Sequence, residues 1–209
     1  MKALFVPGRR FRWALAPTQR GFTLVEVLVA IVVLSFGVLG VVGMQAAALQ
    51  SNHAARNQST AIALGRELAD MLRTNKTVSL QPTAPANRYL VDFTGTLPAA
   101  GANCFTGACA SPTLVAEFDL RQWLVRVNAA LPGARVVVCF DDTPYVPATG
   151  RPQWVCDSAA QKTLAIKIGW TQKSLDSGAA APERTEGVGD GTGDGVPGVV
   201  LPVIPGSST

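Results

Sequence analysis

Histidine occurs once in this 209-residue chain, tyrosine twice, and only 15% of the side chains carry charge. His53, the only imidazole, is expected on an exposed helix face, which argues against the common histidine-based triads and zinc sites. No Gly-x-Gly-x-x-Gly follows a strand pattern, and neither a phosphate loop nor a His-Glu-x-x-His pair is present. These absences argue against an enzyme. Charge is scarcest between Phe22 and Leu49, where Glu26 stands alone, and proline is missing from Phe22 to Gln81. A proline-free stretch of that length leaves a long helix uninterrupted. The composition is 48% hydrophobic, which is too apolar for a disordered chain.

A net charge of +4 invites a nucleic-acid reading, but its distribution removes it. Lys2, Arg9, Arg10, Arg12 and Arg20 precede Phe22 with no acid among them. The rest of the chain holds 13 basic and 14 acidic side chains. The basic character therefore belongs to a leader, where it acts as a positive-inside flank for a membrane segment. No basic groove for nucleic acid is expected.

The segment from Phe22 to Leu49 would make a helix of about 42 Å, enough to cross a hydrocarbon core of about 30 Å. Its aliphatic residues cover every helical face, as in a helix surrounded by lipid or by other helices. A carboxylate inside such a span is costly and is kept for a partner or placed where it reaches the interface. Glu26, near the start of the span, suits either role. An Ala-x-Ala signal site at Ala46-Ala47-Ala48 is a rival, but the apolar core from Val27 to Met44 exceeds the roughly 7–15 residues of a secretory signal.

Arg20-Gly21-Phe22-Thr23-Leu24-Val25-Glu26 resembles the type IV prepilin processing motif, in which a basic leader ends in Gly and the mature chain starts with Phe and has Glu at its fifth position. The resemblance implies cleavage between Gly21 and Phe22 by a prepilin peptidase, N-methylation of Phe22, and pairing of Glu26 with the amine of a neighbouring subunit. Physically, a free amino terminus at a helix start is a cation able to compensate a buried carboxylate.

Beyond the span, Ala61, Leu64, Leu68 and Leu72 continue a helical period, so the helix should extend as an amphipathic stalk to about Lys76. From Phe22 to Arg73 it would measure about 78 Å. Gly37, Gly40 and Gly43 each weaken it by about 1 kcal/mol relative to Ala, and they suit either close helix packing or, as the resemblance to prepilins implies, local melting in a filament. A short strand is expected at Tyr89 to Phe93. Ser111-Pro112 is an N-cap followed by proline at the first helical position, and it opens a second helix over Thr113 to Leu131. Arg135 to Phe140 and Leu164 to Trp170 predict antiparallel strands packed on the stalk. The fold class is α+β, a long N-terminal helix on a small antiparallel sheet with a second short helix.

Four cysteines, Cys104, Cys109, Cys139 and Cys156, all follow the span, where an exported chain meets an oxidising compartment. Three pairings are possible, and Cys104–Cys109 with Cys139–Cys156 is the favoured one. No spacing is Cys-x-x-Cys, so neither zinc nor any other metal or cofactor is expected. Asp190, Thr192 and Asp194 are spaced like the start of a calcium loop, but the twelfth position is Leu201. Asp141 and Asp142 are expected to form a solvated turn before Pro144. Val199 to Ile204 could add an edge strand.

Cys104 and Cys109 followed by Ala116, Asp119, Leu120, Trp123, Leu131-Pro132-Gly133 and Trp170 resemble the PilV class of type IV pilus minor pilins. The resulting organisation is a leader (1–21), a transmembrane or filament-core helix (22–49), a periplasmic stalk (50–76), a disulfide-containing head (77–175) and a Gly/Pro-rich tail (176–209). The resemblance implies a bacterial inner-membrane protein, with its head in the periplasm, that enters a pilus. Implied partners are the prepilin peptidase, other major and minor pilins, the inner-membrane assembly platform and an adhesin-like tip protein. A minor pseudopilin of a type II secretion or DNA-uptake system would share motif and fold. A membrane-anchored periplasmic binding module is a further alternative.

Overall fold

The computed structural model describes residues 21–107, 109–157, 163–172, 183–184 and 195–206. Residues 1–20, expected as a basic leader, and the candidate calcium ligands Asp190, Thr192 and Asp194 lie outside the described residues. Two compact units divide the chain, Met1–Ala48 and Leu49–Thr209. Helix α1, Leu24–Thr74, contributes to both. In the first unit the helix runs unbroken through Gly37, Gly40 and Gly43, and every residue from Gly21 to Ala48 is exposed.

In the second unit, α1 buries Ala61, Gly65, Leu68, Ala69 and Leu72. These positions recur at intervals of three and four, so they form one stripe. The single turn α2, Lys76–Ser79, follows. Helix α3, Pro112–Ala130, starts as its sequence predicts, with the Ser111 hydroxyl accepting from the Leu114 N–H and proline at the first position. It buries Ala116, Leu120, Trp123, Leu124 and Val127. The Trp123 indole N–H donates to the Leu64 carbonyl at 2.9 Å, which fixes α3 against α1. Trp123 and Trp170 are both fully buried and serve the core.

Between α2 and α3, polar groups are buried as a satisfied knot. Asn87 donates to the Ser79 and Gln81 carbonyls at 2.9 Å each, and the Ser79 hydroxyl donates to the Leu72 carbonyl at 2.8 Å. Tyr89 is buried beside it, and desolvation pushes its phenol up to about 12 against a lowering hydrogen bond to Asn75 and a small raising effect of Asp119. Burial also raises the Asp119 carboxyl.

Strands β1 (Val91–Phe93), β2 (Arg135–Phe140) and β3 (Leu164–Gly169) are joined by β6 (Val199–Val203) in one antiparallel sheet of order β1-β2-β3-β6. A separate pair, β4 (Thr171–Gln172) and β5 (Glu183–Arg184), follows β3 in the chain. In the β2–β3 register Val136 faces Ile168 and Val138 faces Ile166, and these four belong to the core that contains the α1 and α3 stripes. Alternation sends Val137, Cys139, Ala165 and Lys167 to the opposite face.

The sheet draws on the C-terminal stretch as well. Val199–Val203 forms the edge strand expected there, with Pro202 inside it, and an edge tolerates a residue that cannot donate to a ladder. Two glycines let it dock. A Cβ at Gly65 would overlap the Leu201 methyl and lie 3.5 Å from the Ile168 methyl, and one at Gly198 would lie 2.8 Å from the Trp170 ring. The compact unit thus takes in both the stalk expected at 50–76 and the described end of the tail expected at 176–209.

Gly65→Leu is expected to lower the stability of the Leu49–Thr209 unit by about 1–3 kcal/mol through overpacking. Leu201→Ala in the same chain should recover part of that loss. Thermal unfolding of the detergent-solubilised single and double variants checks both, and equal melting of Gly65→Leu and wild type would refute the contact.

Candidate functional site

Glu26 stands in the first turn of α1. Thr23 precedes the helix, and its hydroxyl and carbonyl both accept from the Glu26 N–H, at 3.2 and 3.1 Å. The Val27 N–H donates to the same carbonyl at 3.2 Å. Thr23 is therefore the N-cap, and Thr-x-x-Glu is the sequence signature of a capping box. Glu26 is expected near the start of the span, and no cap is expected at Thr23. The signal was available in the spacing of Thr23 and Glu26. The cap fixes where the helix begins, so Gly21 and Phe22 lie just outside it.

The carboxylate thus sits where the positive end of the helix dipole favours an anion. Around it are exposed apolar side chains, with Phe22 at 81% and Leu24 at 85% exposure, and the exposed apolar surface continues to Leu49. The helix is long and apolar enough to cross a membrane by length and composition. A shallow groove runs along Val33, Leu34, Gly37, Val38, Val41, Val42 and Gln45. A Cβ at Gly37, Gly40 or Gly43 would meet nothing within 4 Å, so within one subunit no contact requires these glycines. An apolar surface of this extent on a single helix marks an interaction surface for lipid or other helices.

The cysteines form the bonds Cys104–Cys109 and Cys139–Cys156. The first closes a small loop in which Asn103 accepts from the Phe105 N–H at 2.9 Å, and the Phe105 ring meets Phe118 of α3 edge-on at 5.0 Å. The second ties β2 to the segment that returns towards β3. Cys139, Cys156 and Asp141 place their potential ligand atoms within 4.8 Å of one another, but the two sulfurs are bonded to each other. His53 is exposed on α1.

Asp141 departs from the expected solvated turn. Its side chain and that of Lys167 are fully buried, with Lys167 Nζ 2.5 Å from Asp141 Oδ2. Asp141 Oδ1 accepts from the N–H groups of Thr143 and Asp157, at 2.9 and 3.3 Å. Lys167 also donates to the carbonyls of Val155, at 2.6 Å, and Trp154, at 3.4 Å. The physical reason is that the face of β3 opposite the core is covered by the segment from Asp141 to Asp157, so all six β3 residues are buried. The Arg135 guanidinium, 4.5 Å above the Trp154 ring, adds a cation–π contact at the same place. A lysine alternating with Ile166 and Ile168 reads as a solvated face unless the covering segment is known.

A long apolar helix capped by Thr23, continuing into a helix-on-sheet unit, defines a pilin-like fold. Residues 17–42 match the family model described as the prokaryotic N-terminal methylation motif, and residues 43–121 match the one described as type IV pilin Tt1218. Together these matches support a type IV pilin with a prepilin-like N-terminus, a component of a pilus or pseudopilus. Type IV pilins are structural proteins, not enzymes. No curated protein and no solved structure matches the chain.

Asp141→Ala is expected to destabilise the protein by about 3–5 kcal/mol, because it strands a buried ammonium. Asp141→Leu combined with Lys167→Met should cost clearly less, since neither charge is then left unpaired. Thermal unfolding of the two variants and the wild type measures the ordering, and a double variant no better than Asp141→Ala would contradict it.

Proposed function

We propose that this chain is a minor pilin, of the PilV class, that takes part in assembling or priming a type IV pilus. The observation that carries the reading is the placement of Gly21-Phe22 immediately ahead of a capped helix whose residues 24–49 are apolar and exposed and whose first turn holds that segment's only charge. The match of residues 17–42 to the methylation motif supports it.

In this reading residues 1–21 are a leader, and a prepilin peptidase cuts between Gly21 and Phe22. The Phe22 amine is then methylated and keeps its charge. Residues 22–49 hold the subunit in the inner membrane, with the head on the periplasmic side, until they join the apolar bundle of a filament. Glu26 pairs with the amino terminus of a neighbouring subunit, which converts a costly intramembrane carboxylate into a register mark between subunits. Residues 50–76 form the stalk, 77–175 the head and 176–209 a tail whose end completes the sheet. The assembly platform, other pilins and an adhesin-like tip protein are the partners, and the head contacts them.

Two measurements test this. The mature protein extracted from membranes is expected to start at N-methylated Phe22, as read by mass spectrometry of its amino-terminal peptide. A start after Ala48 or an intact Met1 would refute processing as a prepilin. Glu26→Ala should be cleaved normally yet recovered in sheared filaments at about a tenth of the wild-type level or less, the scale of a lost charge-assisted contact of about 1.5–3 kcal/mol. Wild-type recovery would remove the role given to Glu26.

A further inference from the structure

Lys167 is a lysine on the central strand β3 with no exposure to solvent. Nothing on β3 itself satisfies its ammonium. Its partners, Asp141 and the carbonyls of Trp154 and Val155, all belong to the segment that leaves β2 and comes back over the sheet. That segment is held at its start by Asp141, which follows β2 directly, and near its end by Cys156, bonded to Cys139 of β2. Within it, Val146 and Gln153 donate backbone N–H groups to the carbonyls of Arg151 and Pro144 at 2.8 and 3.1 Å, and Trp154 lies against the Arg135 guanidinium of β2. Those internal bonds shape a hairpin without fastening it to the sheet.

We propose that the Cys139–Cys156 bond is an oxidation-dependent latch that seats Lys167. The two carbonyls that receive the ammonium belong to the residues just before Cys156. With the bond closed they are tethered to β2, next to β3. With it open, the hairpin keeps its internal bonds but loses its covalent tie over Lys167, and a buried ammonium that loses acceptors favours release of the segment and exposure to water. The Leu49–Thr209 unit therefore has two states with a common helix–sheet core. In the reduced state the Asp141–Asp157 segment is free and Lys167 is solvated; in the oxidised state the segment covers the sheet and Lys167 is sealed. Closing the latch is thiol–disulfide exchange: the two thiols of Cys139 and Cys156 lose two protons and two electrons to a disulfide donor, which leaves as a dithiol. The covered face would then be completed only in an oxidising compartment.

Chemical acetylation of the full-length protein in detergent tests this, read at Lys167 by peptide mass spectrometry with the exposed Lys76 as internal reference. In the oxidised protein Lys167 should react at least about tenfold more slowly than Lys76, as for a group reached only by local opening. In Cys139→Ser with Cys156→Ser, the Lys167 rate should approach that of Lys76 while the Leu124 and Ile166 amides keep their hydrogen-exchange protection. Cys104→Ser with Cys109→Ser should leave Lys167 slow. The proposal is overturned if Lys167 already reacts freely in the oxidised protein or stays equally protected without Cys139 and Cys156. It is also overturned if the Leu124 and Ile166 amides lose protection together with it, because the bond would then hold up the whole unit.

Discussion

The Leu49–Thr209 unit depends on a close approach between α1 and the sheet at Gly65. Ala61, Gly65 and Ala69 put small side chains along the buried stripe, and Leu68 and Leu72 supply apolar bulk beside them. The small positions allow Leu201 and Ile168 to reach the helix surface, and a larger residue at Gly65 would overlap Leu201. Interiors are packed at crystal-like density, so one such contact sets the position of neighbouring strands. Through it the last strand, β6, is seated beside β3, and α3 closes the other part of the core with the Trp123 bond to Leu64.

The opposite face of the sheet obeys a different rule. Four residues on one side of β2 and β3 include a lysine and a cysteine, and both are anchored by one returning segment. The apolar side is held by non-directional burial, while the other is held by a disulfide, an ion pair and hydrogen bonds of defined geometry. Buried ion pairs contribute little net stability compared with apolar packing, yet breaking one partner is costly. Such a face specifies one arrangement of the covering segment.

The N-terminal methylation motif is legible because it is local. A basic leader, Gly21-Phe22, a single carboxylate and an uninterrupted apolar run need no tertiary context to be recognised. The helix start at Ser111-Pro112 and the alternating strand at Leu164–Gly169 were legible for the same reason, since capping and alternation are properties of neighbours in sequence. The cap at Thr23 is equally local, carried by the Thr-x-x-Glu spacing to Glu26. Asp141 was misread because two adjacent acids before a proline favour a turn locally, and a lysine 26 positions later overrides that preference.

The sequence by itself determined the long apolar helix, the class of fold and the chemistry available to its first turn, since periodicity, hydrophobicity and capping act over a few residues. Tertiary structure alone decided that Lys167 is sealed against Asp141 and that Leu201 fits over Gly65. Each of these joins residues far apart in the chain. Their partners are chosen by the space and the unsatisfied polar groups that the assembled elements leave, which no local pattern encodes.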